Sequence, residues 1–210
     1  MSNSCAELHA LLWRLRSFAF PFNPRELPDN GIYLLYEQGE HGHGADRLVR
    51  VGSHTGGNQL PSRLKEHFLR ENKDRSIFRK NIGRAILNKE RDPFLDQWNL
   101  DLTTRAARAE HTSHIDIQRQ QEVEGEVTTY IRRAFRFVVV PVDDRETRLR
   151  LESRIISTVS WCVECRPSPC WLGRYSPVSR IRESGLWLVN ELYKTPVTME
   201  DIAAIRSLAA

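Results

Sequence analysis

The chain has 210 residues, a length that suits one sizeable domain with embellishments. Apolar residues make up 40% of it, mean hydropathy is -0.50, and no apolar run approaches the roughly 20 residues that span a bilayer as a helix, which excludes a helical membrane protein. The formal net charge of +4 favours a polyanionic partner but is too small to single one out.

The N-terminal stretch CAELHALLWRLRSFAF carries charges at helical spacing and lacks the pattern of a cleavable signal, so a cytoplasmic location is expected. In that setting the four cysteines suit free thiols or metal ligands better than disulfides. Residues 5–20 read as an amphipathic helix with Leu8, Leu11, Leu12, Leu15 and Ala19 on one stripe. PFNPRELPDN breaks it. GIYLLYE and RLVRVGS follow as strands, joined by the glycine-containing loop QGEHGHGAD.

LPSRLKEHFLR and SIFRKNIGRAILN read as helices, and residues 92–132 as a polar, partly exposed helical insertion. FRFVVVPV, residues 135–142, reads as a buried strand, and RETRLRLESRIISTVSW as a helix. A loop and the helix-like SRIRESGLWLVNELY come next. The expected fold is α+β: a small, mostly antiparallel three-stranded mixed sheet flanked by helices, with helical additions at both ends. The expected division is 1–28, 29–175 and 176–210.

Two polar placements stand out. On the helix over 146–160, Glu152 lies within about 60° of Leu149, Ile155, Ile156 and Val159, in the middle of the apolar face. A carboxylate there costs several kcal/mol unless an arginine pairs with it or it holds a cation at the wall of a cleft. On the helix after SHTGGN, Arg63, His67 and Arg70 form a strip beside the ridge Leu60, Leu64 and Phe68. That strip is either a solvated basic face or a guanidinium and imidazole presented to a phosphate.

Taken together, these placements resemble the GIY-YIG nuclease superfamily over roughly residues 29–175. Gly31-Ile32-Tyr33 stands as the first triplet and Arg50-Val51-Gly52 where the second belongs, with Arg50 in place of its tyrosine. Arg63 with His67 looks like the arginine helix, and Glu152 like the metal-binding glutamate. Within the superfamily the restriction-endonuclease branch looks most similar. The resemblance implies a DNA endonuclease dependent on Mg²⁺ or Mn²⁺ held by Glu152, acting on duplex DNA, with a homodimer as the means of double-strand cleavage. It assigns Tyr33 as general base or water-orienting group, Arg63 to a phosphate oxygen, and His67 to the phosphate or to Tyr33. Arg50, Arg63 and Lys65 are the cations available to stabilise a phenolate. An asparagine often found downstream of the glutamate has Asn190 as its nearest candidate, or none.

Arg70, Lys73, Arg75, Arg79, Lys80, Arg84 and Lys89 straddle two helices and form a DNA-facing footprint if they share a side; Lys65, Arg70, Arg79 and Lys80 are the substrate-binding candidates. The alternatives are a nucleic-acid-binding module weakened in catalysis by Arg50, and an interaction protein whose polar cluster is an ion-pair network. CVECRPSPC offers Cys162, Cys165 and Cys170 as a zinc knuckle if Cys5 or a distant histidine completes it, and as free thiols otherwise. His41, His43 and His54 flank the hairpin as a metal-capable set or a polar loop.

Overall fold

The computed structural model describes residues 2–209. In chain order the elements are α1 (Ser2–Trp13), β1 (Ser17–Ala19), β2 (Gly31–Gly42), β3 (Ala45–Gly52), α2 (Leu60–Phe68), α3 (Ile77–Glu90), α4 (Leu95–Asn99) and α5 (Arg105–His111). There follow α6 (Ile117–Ala134), β4 (Phe135–Pro141), α7 (Arg145–Trp161), α8 (Ser179–Ser184) and α9 (Met199–Leu208). The strands form one antiparallel sheet in the order β1-β4-β2-β3.

The sheet has four strands where three were expected. The helix expected over 5–20 stops at Trp13, and Ser17–Ala19 pairs with β4, placing Phe18 against Phe137 with ring centroids 5.4 Å apart. The expected hairpin loop is mostly strand as well: β2 runs on to Gly42 and turns at His43 and Gly44, with φ of 55° and 76°. Two consecutive left-handed residues match the twist of the flanking strands.

β2 alternates between two cores. Tyr33 and Leu35 face one layer, packed by α2, α3 and α6 through Leu64, Phe78, Ile82, Val127 and Ile131. Ile32, Leu34 and Tyr36 face the other, packed by α1, α7 and α9 through Leu8, Leu12, Leu151, Ile155 and Ile205. Cover on both faces accounts for the uninterrupted apolar run in GIYLLY.

The polar insertion is anchored rather than peripheral. α6 buries Val123, Val127 and Ile131, and its Glu124 takes Arg79 at 3.0 and 2.6 Å. SRIRESGLWLVNELY is helical only over α8, because Gly185 ends the helix at φ 71°. Beyond it the Trp187 amide bonds the Val49 carbonyl at 2.7 Å, so the chain covers part of the free edge of β3.

Candidate active site

The site is built at the end of β3. Tyr33 stands opposite Gly52 across the β2–β3 pair, and a methyl group at position 52 would overlap the phenol. Glycine is required there by close approach rather than by an unusual φ. Beyond the Leu35–Arg50 pair, two pairs away, the register slips: Leu35 faces Arg50 while Tyr36 faces Leu48, leaving Val49 as the extra residue of a bulge. Arg50, in register opposite Leu35, lies on the face that carries Tyr33, with its guanidinium 5.1 Å from the Phe78 ring centre, and the bulge brings Val49 to that face as well.

Tyr33 meets His67 at once. Its hydroxyl lies 2.8 Å from His67 Nε2, and His67 Nδ1 lies 2.7 Å from Ser76 Oγ. Ser76 caps α3, accepting the Arg79 amide at 3.3 Å. With Nδ1–H donated to Ser76, Nε2 is the acceptor for the phenolic proton. Burial, then the charges of Arg50, Arg63 and Arg79, hold the imidazole well below its ordinary pKa. A neutral His67 therefore orients the phenol, and it is a poor place to store a proton.

Glu152 approaches from the opposite layer. At 100° per residue Glu152 falls between Val159 and Ile156 on the face of α7 that also buries Leu151 and Ile155, as expected, and its side chain, like Leu149, is only partly buried. From there it accepts the Ser53 hydroxyl, one residue beyond Gly52. Burial raises the carboxyl pKa, against the lowering effect of Ser53 and Arg50. The charge of Arg50 thus acts on both Glu152 and His67, and that of Arg63 on His67 and on His54. Tyr33, Arg50, His67 and Glu152 are brought together around Gly52 and Ser53, whereas Arg63 acts on His67 through its charge and donates Nη1 to the Arg75 carbonyl at 3.3 Å.

The substrate-binding candidates divide. Lys65 is partly exposed, and Arg70 is exposed with its guanidinium 2.6 Å from Glu66. Arg79, expected on a DNA-facing surface, is fully buried. Its forked donors hold Glu124, and Nη1 reaches the His67 carbonyl at 3.2 Å, so it braces the site from inside. Lys80 is also buried, with Nζ 3.2 Å from the Leu100 carbonyl, and Lys73 shares that acceptor at 2.8 Å. Of the seven residues of the expected footprint, Lys73, Arg79 and Lys80 are interior, Arg84 is half-buried, and Arg70, Arg75 and Lys89 are exposed. Asn190 is exposed and lines a cleft of about 580 Å³ with Glu191, whose carboxylate accepts Ser153 Oγ at 2.5 Å.

Sequence reasoning missed Ser53 and Ser76. VGSHTGG offered Ser53 only as part of a flexible turn, and Ser76 was visible only as a helix start.

A family model described as GIY-YIG domain matches residues 6–204. The chain belongs to the GIY-YIG family. Membership supports a nuclease-type function, and the match takes in parts of α1 and α9 besides the sheet of this GIY-YIG protein. No curated protein and no solved structure matches the chain. No helix among the described residues is long and apolar enough to cross a membrane.

Proposed function

We propose that this GIY-YIG chain is a divalent-metal-dependent endonuclease that hydrolyses phosphodiester bonds in duplex DNA, in a cytoplasmic restriction or defence role. The supporting observation is the convergence of a phenol, an acid and the Arg50 guanidinium on the end of β3, with the charge of Arg63 felt at His67. Glu152 fits a hard cation: its carboxylate is largely desolvated, and Ser53 is its hydrogen-bond partner from the strand. A Mg²⁺ or Mn²⁺ bound there supplies positive charge to the phosphate and the departing 3′ oxygen.

The chain's own groups do the rest. Tyr33, held by His67, orients the attacking water, and Arg63 holds a non-bridging oxygen. Arg50 neutralises developing negative charge between the two sides of the site. Lys65 and Arg70 contact the flanking backbone, and a homodimer would bring one such site to each strand. Residues 29–175 form the nuclease unit, with 1–28 and 176–210 as flanks.

Plasmid nicking in Mg²⁺ or Mn²⁺, abolished by Glu152→Gln and by Tyr33→Phe, is the expected result. Intact plasmid in every metal, with the wild type behaving like Glu152→Gln, would sink the assignment. Arg50 favours one competing reading, a binding module without cleavage, because its Nη1 bonds the Trp187 carbonyl and its buried Nε has no protein partner. In that case gel shifts persist while cleavage is absent.

A further inference from the structure

The opposite end of β3 carries a second cluster that the nuclease chemistry does not use. The side-chain donors of Cys5, His9, His43 and Cys165 all lie within 4.8 Å of one another. Cys5, His9 and Cys165 are buried, at 0%, 3% and 1% exposure. His9 Nε2 lies beside the Leu48 amide, four residues along β3 from Gly52, so this cluster stands roughly 13 Å along the strand from the partner of Tyr33 at about 3.3 Å per residue, and on the opposite face of the sheet.

We infer that these four side chains form a structural zinc site. Cys5 Sγ and Cys165 Sγ are 3.7 Å apart. Two thiolates on one tetrahedral zinc at about 2.3 Å each would be about 3.8 Å apart, whereas a disulfide would bring them to about 2.0 Å. Cys165 Sγ is 3.8 Å from His9 Nε2, close to the same tetrahedral edge.

The outer partners of both imidazoles leave the same nitrogen for the metal. His9 Nδ1 is 2.9 Å from the Cys5 carbonyl, and His43 Nδ1 is 3.2 Å from Glu164 Oε2. A ring that donates Nδ1–H to a carbonyl or a carboxylate presents an unprotonated Nε2, the usual arrangement behind a zinc-bound histidine. The His9 Nε2 lone pair is otherwise engaged only by the Leu48 amide at 3.5 Å, the long limit of a hydrogen bond.

Sulfur and imidazole ligands select zinc over the magnesium or manganese of the nuclease site. Two thiolates and two neutral imidazoles also bring Zn²⁺ to zero net charge, which suits a buried position. The donors come from α1, from the β2–β3 turn and from the segment after α7. The ion therefore ties the N-terminal helix, the hairpin tip and the C-terminal third together across a sequence separation of 160 residues. Cys170, part of the knuckle expected from sequence, is exposed and outside the set. Cys162 Sγ touches His43 Nε2 at 3.2 Å and lies at its rim.

The test is the zinc content of the full chain expressed with zinc and dialysed against metal-free buffer. About one zinc per chain is expected, retained in Cys170→Ser and Cys162→Ser and lost at least tenfold in Cys5→Ser and Cys165→Ser. A wild-type chain without zinc overturns the proposal, as does full zinc in Cys5→Ser or Cys165→Ser. Loss from Cys162→Ser overturns His9 as the fourth donor. Should the cysteine variants fail to fold, Co²⁺ added to stripped wild-type chain decides the matter. Intense visible bands of a tetrahedral site with sulfur-to-cobalt charge transfer are expected, and octahedral pale-pink spectra refute it. Because this readout involves neither Glu152 nor DNA, it stands or falls apart from nuclease activity.

Discussion

At the residue scale, the site combines groups whose titration runs in opposite directions. Burial raises the Glu152 pKa, so the folded chain favours the protonated acid. That contribution to stability is present below the unfolded carboxyl value and fades as pH rises through the raised one. Cation binding needs the carboxylate. Added Mg²⁺ should therefore raise Tm more at pH 8 than at pH 5, and not at all in Glu152→Gln. In chelator at neutral pH the same variant should be at least as stable as the wild type, since it removes a desolvated charge while keeping an oxygen for Ser53. Melting curves at two pH values check both statements. His67 runs the other way. Its depressed pKa leaves stability intact above about pH 6.5 and removes it as pH falls below that, by up to about 1.4 kcal/mol per pH unit. His67→Gln should flatten that part of the profile. Tyr33→Phe deprives His67 Nε2 of its partner and should cost about 1 kcal/mol of stability. It should lower cleavage by about 100-fold or more, because the hydroxyl that orients the attacking water is gone.

At the element scale, what could be read from sequence was what periodicity encodes. α2, α3, α7 and β4 fall close to their expected ranges, while the meeting of Tyr33, Arg63, His67 and Glu152 was implied by the family resemblance rather than by periodicity. The bulge at Val49 was not legible: no turn residue marks it, and it follows from how β2 and β3 share two cores. β1 was hidden because three residues of strand are too short to show alternation beside a strong helical stripe. The fate of the basic residues was equally hidden, since a charge on a helix looks solvated until a partner such as Glu124 arrives from 45 positions away. Gly52 tests the element directly. Gly52→Ala pushes the strand away from the Tyr33 ring, and it should destabilise the fold by about 1–3 kcal/mol. Cleavage should fall further than stability alone explains, measured at a temperature where both chains are folded. A fully active Gly52→Ala chain would show that Tyr33 is not held against β3 during the reaction.

At the scale of the whole molecule, the interior position of Lys73, Arg79 and Lys80 limits how DNA can be gripped. A chain that clamped a duplex with all seven basic residues of the expected footprint, Arg70 to Lys89, would displace many counterions, and its affinity would collapse with salt. Here Arg79 is committed to Glu124, while Lys73 and Lys80 hold the Leu100 carbonyl. The cations left near the site are Arg63, Lys65, Arg70 and Arg75, all at least partly exposed. Four phosphate contacts at about 0.9 counterions each give a slope of log K against log salt near -3.6 for one copy on duplex DNA. Lys65→Ala and Arg75→Ala should each reduce the slope by about one, while weakening binding evenly across sequences. Fluorescence anisotropy on a short duplex, without divalent metal, measures it over a range of salt. A slope near -7 that halves on dilution would show two copies sharing the duplex, as a homodimer built for double-strand cleavage requires. A slope that does not respond to either substitution would place the DNA on another face, and would remove Arg63 from the phosphate along with it.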